Sequence, residues 1–428
     1  MTTRDYLSRG YYWSDTPDAY WTNFYWTIAP TETPAPPTCF VTIPPPYSVA
    51  SYYFVTISDY DNNVVAIFDN WRELTLQNII NDAGDIEMLL NGKDERVALI
   101  QDDYLITVYR SVPGVSLDWY VEARGLIEIH KDDILPNGDQ VYRITACHLN
   151  GHLSRRRIAY LSGTIRADKI APGETAMKEY VTENIGAGAT VANGRLLEGS
   201  LSNFTIAIDG AQGNIYQKGN SGASLLDVCK DIALTCSLDF LVYLSLPNTY
   251  IFQVYPALIG EDRRAVNIDP ETGFNGAGLA PVRLSVGFGN VVSQSYTHNR
   301  REEVNAAIIW GNGSGATQQY AAGRNLVAIS ATPYAQRETA RSGQNQEYQY
   351  QLDQEMQKTI DETPPQDDFT FEVLQQPSAV YGKHFTLGDR LTVLRGATPY
   401  QKRLVQTTIN ITGDNKREQI RFDFEDAP

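Results

Sequence analysis

The residues nearest to a metal-binding pattern are one cysteine and two histidines in the run Cys147-His148-Leu-Asn-Gly-His152. Thiolate and imidazole groups are common zinc ligands, but a tetrahedral site needs a fourth donor. No second Cys or His pair lies nearby in the sequence, and the other three histidines are scattered. The pattern therefore favours a strand that ends in a loop, and we expect no metal and no cofactor. The cluster Arg155-Arg156-Arg157 follows, and we interpret it as forming ion pairs within or between subunits.

Two glycine-rich turns resemble phosphate-binding loops only superficially. Gly287-Phe-Gly-Asn and Gly311-Asn-Gly-Ser-Gly lie between predicted strands, and neither precedes Lys-Ser/Thr and a helix. The chain also contains no Gly-x-Ser-x-Gly and no His-Glu-x-x-His motif. The sequence therefore supplies no recognised nucleophile or metalloprotease motif.

Paired acidic residues are the remaining candidates for chemistry. A glycosidase needs two carboxyl groups that the fold brings together, whereas neighbouring carboxylates in a strand or turn point apart. We therefore interpret the pairs as solvated loop ends and expect no enzyme activity, with a cell-wall hydrolase kept as an alternative. The pairs are Asp102-Asp103, Asp132-Asp133 and Asp367-Asp368.

Composition limits the class of protein. The chain has 428 residues and a formal net charge of -16, with a sequence pI near 4.8. Its length predicts two to four domains, and its charge argues against a protein that grips nucleic acid through clustered Lys and Arg. Four cysteines are too few for a disulfide framework. The first ten residues lack the apolar core of a signal peptide, and prolines interrupt the uncharged runs, so we expect no stable membrane insertion.

Residues 1–48 form a separate N-terminal extension that is rich in aromatic residues and proline. Proline-rich segments favour extended conformations and act as stiff tethers. The extension either clamps a partner subunit or contacts saccharide, or it folds back onto its own domain. The candidate partner-binding residues are Trp13, Tyr20, Trp21, Tyr25 and Trp26.

Alternating apolar residues predict strands in two further segments. Residues 49–155 form a first β-rich domain, a small barrel or sandwich, with a hairpin from 122–131 to 140–147 around Pro136-Asn-Gly. Residues 281–428 form a second one, with a helix near 347–362. Its predicted strands are 282–286, 293–298, 306–310, 326–330, 369–374, 391–394, 403–412 and 419–424.

The segment between them, residues 156–280, mixes helices with strands. Apolar stripes predict helices over 173–185 and 224–237, the second with Ser224 and Asp227 in capping-box positions. Cys229 and Cys236 lie on nearly one face of the second helix and are expected to be buried thiols. Residues 240–255 predict a hairpin around Pro247-Asn-Thr, so this is an α+β unit.

The order of these pieces resembles the baseplate hub, or tail hub, of bacteriophage tails and related injection machines. The parts that carry the resemblance are the strand Gly125–Ile129, the turn 152–158, the helices 176–185 and 224–237, and the run Tyr381-Gly-Lys-His-Phe-Thr-Leu-Gly-Asp-Arg-Leu-Thr-Val. In the last of these, Gly388 permits a tight backbone turn and Asp389 caps it.

The resemblance implies a fold and a role. The fold is a β-rich multidomain α+β protein with two tail-tube-like β-barrel domains and an inserted α/β part. The protein forms a homotrimeric ring whose six barrels adapt a six-fold tail tube to a three-fold tip and conduct DNA without binding it specifically. The implied partners are distal tail or tail-tube proteins, the tape-measure protein and tail-tip or fibre proteins. The implied location is the tail baseplate or tip of a virion assembled in the host cytoplasm.

Two other classes of function stay open from the sequence. The first is the tail-associated cell-wall hydrolase. The second is a carbohydrate-binding adhesin for the host surface that uses the N-terminal aromatic residues, since flat rings stack on sugar faces. The resemblance also leaves open whether the particle is a phage, a gene-transfer particle or a cellular injection device.

Overall fold

The first β-rich segment consists of strands whose side chains alternate between the core and the surface. A computed structural model describes residues 51–112, 119–160, 163, 165–245, 248–343, 349–413 and 417–427. The predicted hairpin is confirmed, because β6 and β7 pair antiparallel and Gly138 in their turn has a positive φ of 84°. The strands are β1 (Tyr52–Ser58), β2 (Val64–Phe68), β3 (Glu73–Ile79), β4 (Asp85–Asn91), β5 (Leu105–Ser111), β6 (Tyr120–Ile134) and β7 (Gln140–His148).

The middle segment is the α+β unit that the sequence predicts. Helices α2 and α3 pack through their apolar stripes, and β11 and β12 form the predicted hairpin. The thiols of Cys229 and Cys236 are buried and free. The capping-box prediction is wrong, because the Ser224 side chain makes no cap hydrogen bond. The elements are α1 (Gly151–Ser154), β8 (Ala167–Pro172), α2 (Gly173–Asn184), β9 (Phe204–Ile206), β10 (Ile215–Asn220), α3 (Leu225–Cys236), β11 (Asp239–Ser245) and β12 (Thr249–Tyr255).

The last segment returns to strands, with one short α-helix and one longer α-helix among its described residues. Helix α5 confirms the helix predicted near 347–362. The strand predicted over 326–330 is wrong: the chain forms the short helix α4, whose first turn is capped by Asn325 accepting from the Ala328 amide. The elements are β13 (Arg283–Ser285), β14 (Val291–Asn299), β15 (Ala306–Trp310), β16 (Tyr320–Arg324), α4 (Leu326–Ile329), β17 (Glu338–Ser342), α5 (Gln349–Asp361), β18 (Gln366–Val373), β19 (Arg390–Arg395), β20 (Thr398–Thr412) and β21 (Arg417–Asp426).

One eleven-stranded sheet contains strands from both β-rich segments. Its order is β13-β19-β20-β3-β4-β7-β6-β5-β1-β2, and β21 pairs with β20 as well. The joint is the antiparallel pairing of β20 with β3, in which Gln406 lies opposite Ile79. A single apolar core of residues 53–146 and 282–422 fills this part of the molecule, and a second core fills the middle segment and includes Leu105 and Leu126 of the first β-rich segment.

The architecture is β-rich, as expected, but the described strands form open sheets. No pairing among them closes a set of strands into a barrel. To close the strands of the first segment into a barrel, β3 would have to pair with β2 at the other end of the order. That edge of β3 pairs with β20 instead. No helix among the described residues is long and apolar enough to cross a membrane.

A small module is inserted between the paired strands β14 and β18. It comprises residues 300–365, and its sheet has the order β16-β15-β17. Helix α5 covers one face of that sheet, where Gly323 lets the Met356 side chain come close to the backbone. The buried apolar cluster here is small, and its described members are Ile309, Ala321 and Leu352. We call this unit the inserted module.

Candidate functional site

The most heavily buried charged group of the first β-rich segment is Arg110 on β5. Its side chain follows Ile106 and Val108 on the core face of the strand and is fully buried. Its Nη2 donates to both carboxylate oxygens of Glu418 on β21 at 3.0 Å. Its Nη1 lies 3.5 Å from Glu122 on β6. These contacts connect residues that are 308 positions apart in the chain.

Tyrosines complete this cluster. Tyr53 donates to Glu418, and Tyr381 donates to the other carboxylate, Glu122, at 3.1 Å. The Arg110 guanidinium also lies 5.1 Å from the centroid of the Tyr381 ring. Burial raises the pKa of both phenols well above their usual range, so both remain hydrogen-bond donors. We call this cluster of Arg110, Glu122, Glu418 and its tyrosines the arginine junction.

A second buried cluster surrounds the predicted turn at Gly388 and Asp389. Gly388 has a φ of 95°, and a Cβ there would lie 2.4 Å from the Ile259 carbonyl oxygen, so only glycine fits. The Asp389 carboxylate accepts from the amides of Thr386 at 2.8 Å and Glu261 at 2.7 Å. Burial raises the pKa of Asp389 to about 6, although these two hydrogen bonds oppose the shift.

An ion pair connects this turn to the middle segment. Arg403 on β20 donates to the buried carboxylate of Asp239 at the start of β11. Asp239 also accepts from the Ile259 amide at 2.6 Å and from the Asn81 side chain at 2.8 Å. All three segments therefore meet here. We call the cluster of Asp239, Asp389 and Arg403 the aspartate junction.

The Cys147–His152 run packs its side chains into buried and half-buried positions. Burial lowers the pKa of both histidines to about 4 and raises that of the Cys147 thiol to about 11. The His152 ring packs against Tyr250, with centroids 4.4 Å apart. No group of three or more His, Cys, Asp or Glu within the described ranges is arranged to hold a metal ion. These side chains fill space between β7 and the middle segment.

One arginine of the cluster 155–157 and at least one member of each acid pair contact a side chain of opposite charge or a histidine ring. Arg155 bonds to Asp103 at 2.7 Å and to Glu128 at 2.8 Å, which confirms an intrachain ion pair for this arginine. Asp367 accepts from Tyr296 at 2.8 Å and contacts the His298 ring at 2.6 Å. Asp132 and Asp133 lie within β6, and Asp367 and Asp368 within β18, so these two pairs are not in loops as expected. Their exposed strand positions explain why polar residues are tolerated there.

Sequence reasoning missed the arginine junction and, apart from Asp389, the aspartate junction. Arg110 and Arg403 look like ordinary polar residues of half-buried strands, and their partners are far away in the sequence. One signal was present: Arg110 occupies the same alternation as Ile106 and Val108, which is the core face. The predicted aromatic residues Trp13, Tyr20, Trp21, Tyr25 and Trp26 lie outside the described residues.

This chain is similar to a known protein family in sequence and to known proteins in fold. Residues 54–417 match the model of a family described as Siphovirus ReqiPepy6 Gp37-like protein. No curated protein sequence matches this chain. A solved structure, the 43 kDa tail protein of prophage MuSo2 from Shewanella oneidensis, is 12% identical with a TM-score of 0.51. The alignment covers 88% of this chain and 98% of that chain, so the two share a fold.

Two other tail proteins align over similar lengths. The tail protein of Neisseria meningitidis MC58 is 10% identical over 88% of this chain and 97% of its own, with a TM-score of 0.47. Prophage tail protein gp18 of Listeria monocytogenes EGD-e is 10% identical over 87% and 94%, with a TM-score of 0.46. The family match and the shared fold confirm the resemblance to phage tail proteins that the sequence predicts.

Proposed function

We propose a function from one premise: this chain belongs to the Siphovirus ReqiPepy6 Gp37-like family and has the fold of a prophage tail protein. The proposed function is that of a structural tail hub. Three copies form a ring that joins a six-fold tail tube to a three-fold tail tip. Such a ring requires head-to-tail contacts that close after three subunits.

The observation that carries the proposal is the shared sheet. Both β-rich segments contribute strands to one sheet and one core, so each subunit offers two β-rich halves held as one body. We propose that segments 49–155 and 281–428 act as two barrel-like modules, and that segment 156–280 lies between them as the α+β part. Three subunits then present six β-rich modules to the tube.

The arginine junction supports this role mechanically. A hub transmits force between tube and tip, and its two halves must not separate. Arg110 and Glu418 bridge β5 and β21 inside the core, next to the β3–β20 pairing. Arg110 is the cation that both buried carboxylates share, so its loss would leave them without a counter-charge inside the core.

The negative net charge of the chain supports a role as a channel for DNA. A formal net charge of -16 repels a polyanion, so we propose that DNA passes through the ring without specific binding. The proposed partners are the chain itself, distal tail or tail-tube proteins, the tape-measure protein and tail-tip or fibre proteins. The proposed location is the baseplate or tip of the tail, after assembly in the host cytoplasm. The proposed role is structural and not catalytic.

Light scattering of the purified chain, followed by electron microscopy of tails, tests the proposal. We expect a mass about three times the 47.8 kDa of one chain, and a ring at the tip end of the tail tube. Tails assembled without this protein should lack their tip. A stable monomer that binds no tail component, or a position along the tube away from the tip, would contradict the proposal.

A further inference from the structure

One face of the inserted module's sheet is bare. Helix α5 covers the face that carries Ile309 and Ala321. The opposite face consists of three cross-strand rows, and most of its side chains are exposed. From one end to the other the rows are Tyr320–Trp310–Ser342, Ala322–Ile308–Ala340 and Arg324–Ala306–Glu338.

The first row is aromatic and uncharged. Trp310 and Tyr320 lie directly opposite each other on β15 and β16, with ring centroids 5.9 Å apart and planes at 51°. They are 41% and 57% exposed, although rings of this size usually bury most of their surface. The hydroxyl side chain of Ser342 flanks Trp310 on the other side. The row therefore offers two ring surfaces beside a hydrogen-bonding group.

The described loop at this end of the face is polar and carries no charged side chain. The loop between β15 and β16 begins directly after Trp310 and exposes Asn312, Ser314 and Gln319. The charged residues of the face, Arg324 and Glu338, lie in the row farthest from the two rings. A ligand on the aromatic row thus meets apolar ring faces, hydroxyls and amides, and no ionic group from this face.

The size of the face selects the class of ligand. Three strands spaced by about 4.8 Å and five residues long at about 3.4 Å each give an area of roughly 250 Å². A standard protein interface buries about 800 Å² on each partner. The face is thus too small for a protein partner of that kind, and it matches an oligosaccharide of a few rings.

We propose that this face binds a neutral oligosaccharide. The apolar C–H face of a sugar ring lies on Trp310, a neighbouring ring contacts Tyr320, and sugar hydroxyls bond to Ser342 and the amides of the loop. The two rings give a flat apolar surface for a sugar ring, and the neighbouring hydroxyl and amide groups can bond to its hydroxyls. The activity goes beyond the hub role, because it places a glycan-recognition surface on the inserted module.

Titration calorimetry of the full chain tests the proposal. The probes are cellotriose, maltotriose, a β-1,3-galactose trisaccharide and the trisaccharide of N-acetylglucosamine. We expect at least one to bind with a Kd of about 1 mM or tighter. Trp310→Ala and Tyr320→Ala should each weaken that binding about tenfold, as expected for loss of one ring contact.

Matched variants separate this role from a structural one. Trp119→Ala removes a tryptophan of nearly equal exposure, 42%, that lies just before β6 and outside the module, and Tyr334→Ala removes a tyrosine that is 90% exposed within the module. Both should bind like the unmodified chain. Ser342→Asp keeps both rings and the core but adds a charge beside Trp310, and it should also weaken binding.

Three results would overturn the proposal. The first is that none of the four trisaccharides binds. The second is that binding survives in Trp310→Ala and Tyr320→Ala while their thermal unfolding is unchanged. The third is that the face captures a tail protein instead, which the unmodified chain binds and Trp310→Ala does not. Because trimer formation is measured separately by light scattering, failure of this proposal is distinguishable from failure of the hub.

Discussion

The large sheet and the inserted module differ in the size of the apolar core that each one buries. The sheet has an extensive apolar core and a buried ionic cluster between distant strands. The apolar cluster of the module has three described buried members, its covering helix leaves one face exposed, and its ion pairs join the buried Glu303 to the partly exposed Arg300 and Arg337. The comparison teaches that the sheet is built to hold segments together, whereas the module is built to present a surface.

The largest expected effect comes from the arginine junction. Arg110→Met leaves Glu122 and Glu418 buried without their cation, and should lower the free energy of unfolding by about 3–5 kcal/mol. The matched control is Arg72→Met, which removes an exposed pair with Asp139 at 3.3 Å and should cost less than about 1 kcal/mol. Urea unfolding followed by tryptophan fluorescence measures both. Equal losses for the two variants would show that the junction does not hold the sheet together.

A smaller loss of stability is expected from cavities made in two different cores, that of the inserted module and that of the large sheet. Leu352→Ala and Leu76→Ala both remove fully buried leucines, at a cost of about 2–5 kcal/mol each. We expect Leu352→Ala to speed hydrogen exchange in β15, β16 and α5 while β3 and β20 stay protected, because the module opens on its own. Leu76→Ala should instead lower protection across the large sheet. Uniform loss of protection in Leu352→Ala would mean that the module and the sheet unfold as one unit.

The smallest expected effect is an opposite response to pH. The pKa of Asp389 is raised to about 6 by burial, so its junction is most stable near pH 4 and loses stability as pH rises from about 4 to 6. Hydrogen bonds from Arg300 hold the pKa of Glu303 below its usual range, so its contribution is present above about pH 4.5 and is lost on acidification.

Hydrogen exchange at pH values from about 6 to 3, corrected for the intrinsic rate, measures this difference. Acidification should increase protection around Gly388 and decrease it around Asn305 in the module. Asp389→Asn and Glu303→Gln should each abolish the response in their own region only. A response of the same sign in both regions would contradict the assignment of these two carboxyl groups.

Much of the local structure was predictable from the sequence. Alternation over 104–110 and 140–147, and the apolar stripes of α2 and α3, each depend on residues that are neighbours along the chain. Two local predictions failed, one for a strand and one for a helix cap. Leu326–Ser330 has strand-like residues, but the Asn325 side chain caps a helical turn there. Ser224 has the right type for a cap, yet its side chain makes no cap hydrogen bond.

The candidate sites were much less predictable. The partner of Arg110 lies 308 residues away, and its identity depends on the pairing of β20 with β3, which no local pattern encodes. The aromatic row of the module also depends on register, because Trp310 and Tyr320 meet only when β15 and β16 pair as they do. The turn at Gly388 was easier, since glycine before aspartate is itself a turn signal.

The pairing of β3 with β20 has a consequence for biosynthesis. A ribosome that adds about 5–20 residues per second finishes β20 some 15–65 seconds after β3 has emerged. Throughout that delay the nascent chain carries a strand edge without its neighbour, which is a template for misassembly between polysomal copies. Glu73, Thr75 and Gln77 place polar, half-buried side chains on β3, and these oppose apolar misassembly until the synthesis of β20 supplies the neighbouring strand.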